Sequence, residues 1–108
     1  MANPDATYCV ILVTAGTRDN AGLIARTLVE ERLAACCNIL SNIRSVYRWN
    51  DHVEEDEEIL LICKSQAALF PRIERRVRDL HTYDVPEVIM LPVTAGSAPY
   101  LTWIDESL

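Results

Sequence analysis

Three runs along the chain, Tyr8-Cys9-Val10-Ile11-Leu12-Val13, Ile59-Leu60-Leu61-Ile62-Cys63 and Val88-Ile89-Met90-Leu91, are apolar at nearly every position. A strand with one wet face alternates apolar and polar residues; these runs do not, so they read as strands covered on both sides. Only two long helical stretches accompany them. Thr17 is placed to cap the first, with Asp19 in its opening turn. Ala21, Ile24, Ala25 and Leu28 then recur at helical spacing towards Arg32, while Arg26, Glu30 and Glu31 fall on the opposite side. Ser65 is expected to cap the second, with Pro71 opening its main segment. Leu69, Ile73, Val77 and Leu80 form its apolar stripe; Arg72, Arg75, Arg76 and Arg78 form a charged face, more simply solvated than ligand-binding.

Between the helices, a strand beginning near Ala34 continues through Val46-Tyr47-Arg48-Trp49, and Asn50-Asp51 supplies a two-residue hairpin turn. The return strand carries the acids Glu54 to Glu58 before it enters the apolar run at Ile59, so half of the hairpin projects as a polar arm. A turn centred on Asn50-Asp51 sets Arg44 against Glu57 and Tyr47 against Glu54. The acids could attract divalent cations, but a charged strand more simply keeps an exposed edge from aggregating. A fourth strand, Val88 to Val93, precedes Gly96 and a short helix containing Tyr100, Leu101 and Ile104. The order strand, helix, strand, strand, helix, strand predicts an α+β ferredoxin-like βαββαβ sandwich with both main helices on one face of an antiparallel sheet, in one domain spanning 1–108. The other face then needs copies of the same chain. Six to eight exposed aliphatic side chains would forfeit about 1.5–3 kcal/mol each, comparable with the ~5–15 kcal/mol stability of a domain.

Composition narrows the partners. A net charge of −6 repels phosphate backbones, and no basic stripe interleaves with aromatics, which argues against nucleic acid. No run approaches the ~18 apolar residues of a membrane span. Met1 to Thr7 carry Asn3, Pro4 and Asp5 without a basic start, so the expected compartment is the cytoplasm. Cys9, Cys36, Cys37 and Cys63 all lie in strand-like runs without a Cys-x-x-Cys pair, and read as buried free thiols, with a redox-active or copper-binding thiol as the lesser reading.

Glu31-Arg32-Leu33-Ala34-Ala35-Cys36-Cys37-Asn38-Ile39, Ser45-Val46-Tyr47-Arg48-Trp49, Glu58-Ile59-Leu60-Leu61-Ile62-Cys63-Lys64-Ser65, Leu80-His81-Thr82-Tyr83-Asp84-Val85-Pro86-Glu87-Val88-Ile89, and Gly96 followed by Tyr100-Leu101-Thr102-Trp103-Ile104 resemble successive blocks of the divalent-cation-tolerance proteins, the CutA family. Their order and spacing cover essentially the whole chain. The resemblance implies a stable trimer of ferredoxin-like subunits with the hairpin packing across neighbours, a response to divalent metals such as copper, and no enzymatic activity or organic cofactor. Copper ligands of bacterial members would fall at Val13, Leu80 and His81, so His81 alone is a candidate metal residue; Thr82 and Asp84 also depart from the motif's usual Pro and Glu. The family's polar and aromatic positions are kept by Trp49, Lys64, Tyr83, Glu87 and Trp103, which the resemblance places along a cleft between subunits. They read either as a Lys64–Glu87 ion pair framed by aromatics or as a small-molecule or anion pocket with Lys64 as charge partner, the latter suggesting a sensor similar to the nitrogen-regulatory PII proteins. A remote alternative is an acylphosphatase-like hydrolase using Arg18 with Asn38 or Asn42, although Gly16 alone offers little of a phosphate-cradling loop.

Overall fold

The computed structural model describes residues 7–108; residues 1–6, on which the expectation about the N-terminal start rests, lie outside them. The elements are β1 (Tyr8–Ala15), α1 (Arg18–Glu30), β2 (Cys36–Trp49), β3 (His52–Gln66), a 3-10 turn at Ala67–Leu69, α2 (Phe70–Leu80), β4 (Val88–Pro92) and α3 (Ala98–Ser107). The strands form one antiparallel sheet in the order β2-β3-β1-β4, the expected ferredoxin-like arrangement.

Thr17 caps α1, its hydroxyl oxygen accepting the Asn20 amide at 3.1 Å. The helix ends at Glu30, short of Arg32, because Arg32 turns left-handed (φ 59°) and the Leu33 and Ala34 amides return to the Leu28 carbonyl. Ser65 is not a helix cap. It lies opposite Cys9 within β3, fully buried, and donates to the Leu33 carbonyl at 2.6 Å. A serine in the core is tolerable because its hydroxyl closes that loop. Pro71 opens α2, whose Ile73 and Val77 reach the core while Leu69 and Leu80 pack at its margin. The Asn20 amide donates to the Leu80 carbonyl at 3.0 Å, tying the two helices together.

The hairpin turns at Asn50 and Asp51, both left-handed (φ 49° and 63°). Arg44 stands opposite Glu57 and Tyr47 opposite Glu54, as the turn dictates. The side chains lean diagonally instead, Arg44 to Glu55 at 3.6 Å and the Tyr47 hydroxyl to Asp56. Between Leu40 and Ile43 the register shifts at a bulge where Asn42 takes φ 64°. The arm beyond it stretches the molecule to 49 × 25 × 23 Å.

One sheet face, with Cys9, Ile11, Val13, Leu61 and Cys63, packs fully buried beneath α1 and α2. Register places Val10, Leu12, Leu40, Leu60, Ile62, Ile89 and Leu91 on the other. Among the described residues only one end of that face is clad, by α3: Ile104 packs with Tyr8 and Ala35, and the Tyr8 hydroxyl and Gln66 amide donate to Asp105 at 2.7 and 2.5 Å. Elsewhere Leu40, Ile89 and Leu91 remain 41–48% exposed.

Candidate functional site

Where β1 and β3 end and the arm begins, a cavity of about 600 Å³ opens between β2 and the segment 81–87. Thr14, Ser45, Val46, Tyr47, Trp49, Glu58, Tyr83, Asp84, Val85 and Glu87 line it. Its wall is braced by His81. An amide can only donate and a carbonyl only accept, so Nδ1 accepts from the Tyr83 amide at 3.0 Å and Nε2 carries the proton donated to the Thr14 carbonyl at 2.6 Å. Both ring nitrogens of this buried imidazole are therefore occupied within the chain.

The Tyr83 ring leans on His81, centroids 4.7 Å apart, and sends its hydroxyl over Gly16 to donate to Glu58 at 2.9 Å. A Cβ at position 16 would stand 2.7 Å from that hydroxyl, which gives this glycine its reason. Burial first, then the bond to Glu58, pushes the Tyr83 phenol up to about 12. Tyr47 is likewise pushed up to about 12, chiefly by its bond to Asp56. Burial and then the charge of Glu58 raise the Glu87 carboxyl above its ordinary value. Among the described residues no Lys or Arg forms an ion pair with Glu58, Asp84 or Glu87.

Of the expected cleft residues, Trp49, Tyr83 and Glu87 meet here; Lys64 and Trp103 do not. Lys64 follows Glu58 by six residues along β3, about 20 Å at ~3.3 Å per residue, and its ammonium donates to Asn38. Trp103 lies on α3 with its ring centroid 5.5 Å from that of Tyr100, at the Lys64 end, since Cys36 pairs with Lys64 in register and its thiol lies 3.6 Å from the Tyr100 hydroxyl. Thr14, Glu58 and Asp84 enter the site without having been singled out as members of it; Glu58 was legible as the last acid before the core run. Val13 is sealed in the core and Leu80 packs at its edge, so neither offers a ligand atom beside His81. Arg18, Asn38 and Asn42 do not line the cavity, and β3 separates the two asparagines' strand from β1. Among the described residues, no three His, Cys, Asp or Glu side chains converge closely enough to hold a metal ion.

Because Glu87 is raised, the folded chain holds more protons than the unfolded one as pH climbs between the ordinary and the raised value, and stability declines there. Glu87→Gln is therefore expected to stabilise the protein at neutral pH, by less than about 1 kcal/mol at so exposed a site. The gain should vanish below the ordinary glutamate range. Thermal melts of both proteins at neutral and acid pH check this; a gap unchanged by pH would contradict it.

A βαββαβ sandwich with one sheet face mostly unclad, a projecting hairpin and a carboxylate- and aromatic-lined cavity at its base defines a small ferredoxin-like protein. Residues 9–107 match the family described as CutA1 divalent ion tolerance protein, and the chain belongs to that family. It is 46% identical over 98 residues to the divalent-cation tolerance protein CutA of Thermus thermophilus, covering 91% of this chain and 95% of that one. It is 47% identical over 94 residues to human Protein CutA, covering 87% of this chain but 52% of the human one, so it spans about half of that relative's length. The solved Cut A1 of Thermus thermophilus superposes with a TM-score of 0.91 at 45% identity, over 93% of this chain and 97% of that one. The crystal structure of CutA1 from Oryza sativa gives 0.91 at 40%, over 94% and 93%. The family description and the Thermus thermophilus names speak of tolerance of divalent ions.

Proposed function

We propose that this chain works as a cytoplasmic homotrimer that binds or responds to divalent metal ions without catalysing a reaction. The observation carrying the proposal is the cavity lined by Glu58, Asp84 and Glu87 with no cationic side chain paired to them among the described residues. Uncompensated carboxylates favour a cation, and the Glu87 carboxyl is raised by burial first and then by the charge of Glu58. Oxygen donors that do not converge suit an ion that keeps much of its water, as magnesium does, better than one stripped for direct coordination. Copper selects imidazole and thiolate, and His81 could serve it only by releasing Thr14 or Tyr83. The unclad aliphatic face supports self-association, with the arm reaching a neighbour. The sensor reading is weaker on charge: an anion would need Lys64, about 20 Å along its own strand, delivered by another copy.

Calorimetry of the undenatured assembly with magnesium, zinc and copper, combined with light scattering, tests the proposal. The expected mass is about three times the 12.2 kDa of one chain. Glu58→Gln should weaken metal affinity at least about tenfold, and Lys64→Ala should leave it nearly unchanged. A single-chain mass, or metal binding indifferent to Glu58→Gln, would overturn it; ligand binding lost in Lys64→Ala would favour the anion sensor.

A further inference from the structure

Among the four free cysteines, Cys37 on β2 and Cys63 on β3 are direct cross-strand partners. Opposed residues of antiparallel strands leave the sheet on the same face with Cα atoms about 4.5–5.5 Å apart, within the span a disulfide bridges. The register thus sets the two thiols side by side on the helix face of the sheet. The two are unequal in access. Cys63 is fully buried, whereas Cys37 is half-buried at the margin of the core, beside Ile39, which is 48% exposed on the same face. They also differ in acidity: the contact with Cys63, aided by the Lys64 charge, holds the Cys37 thiol below its ordinary value, while the same contact and burial push Cys63 up. A more accessible and more acidic Cys37 facing a buried Cys63 is the arrangement of a reactive cysteine beside its resolving partner.

We propose that Cys37 and Cys63 form a thiol oxidation site, in which a peroxide attacked by Cys37 closes an intrachain disulfide across the β2–β3 ladder. The Cys37 thiolate displaces hydroxide from the peroxide and becomes a sulfenic acid. Cys63 then attacks that sulfur, its proton leaving with the hydroxyl as water. In sum two thiols lose two hydrogens and one peroxide becomes two waters; a small thiol reverses the bond by disulfide exchange. The remaining cysteines are not equivalent. Cys9 is buried opposite Ser65 with its thiol raised by burial. Cys36 faces the other side of the sheet, towards Tyr100.

Hydrogen peroxide treatment of the intact protein, followed by alkylation and peptide mapping without reductant, tests the site. Expected are a loss of two hydrogens per chain, a single Cys37–Cys63 linked peptide, and full reversal by dithiothreitol. A Cys9→Ser, Cys36→Ser double variant should behave like the original. Cys63→Ser should instead leave a sulfenic acid at Cys37, trapped by dimedone. Should the core substitution fail to fold, Cys37→Ser at the margin gives the complementary readout, no disulfide. Four thiols still alkylatable after free glutathione is fully oxidised, or first oxidation at Cys9 or Cys36, would overturn the proposal.

Discussion

Ile62→Asp is expected to drop the solution mass of the protein from that of the proposed homotrimer to that of one chain. Ile62 lies on the unclad face, opposite Leu12 on one side and Asn38 on the other. Within a single chain an aspartate there stays hydrated, because that face is only partly covered. Within an assembly each copy would bury a carboxylate against Leu12, Leu60 and Ile89. An unpaired buried charge costs several kcal/mol after relaxation, and a closed assembly incurs that cost once per copy. The apolar gain opposing it is about 1.5–3 kcal/mol for each fully covered aliphatic residue, so the charge removes the advantage of closing over the centre of the face. Light scattering at micromolar concentration reads the result, with circular dichroism confirming a folded chain. A mass unchanged from that of the original protein would place any subunit contact elsewhere and detach the cavity from the proposed neighbour.

The same geometry explains why the fold could be read from the residues and the site only in part. Apolar runs without alternation indicated strands apolar on both faces, of which the helices bury one, and Asn50-Asp51 determined the register that sets Arg44 opposite Glu57. Both are local signals, a period and a turn. The bulge at Asn42 carried none beyond an asparagine's tolerance of left-handed backbone, yet it resets which β2 side chains face the cavity. Ser65 was misread because serine favours helix starts; the parity Ile59, Leu61, Cys63 already pointed it into the core, where the Leu33 carbonyl receives it. Trp49, Tyr83 and Glu87 converge through the turn at 81–87, which the inward-bonded His81 maintains. The separation of Lys64 was available from strand rise alone, since six residues of β3 cannot fold back on themselves.

Leu61→Ala makes the opposite prediction one residue away. Leu61 points to the helix side, fully buried among Ile11, Val13, Ile24 and Leu28, opposite Val13 and Ile39 in register. Truncation removes the transfer energy of the lost carbons and leaves a cavity that a sheet held on both sides cannot collapse, a loss of about 2–5 kcal/mol. Against a net stability of ~5–15 kcal/mol, this should lower the urea midpoint markedly with little change in slope. Because the unclad face is untouched, whatever remains folded should keep the mass of the original protein. The two neighbours therefore separate what holds one chain together from what holds chains to each other. If Leu61→Ala dissociated the assembly while Ile62→Asp merely destabilised it, the assignment of the two sheet faces would be reversed.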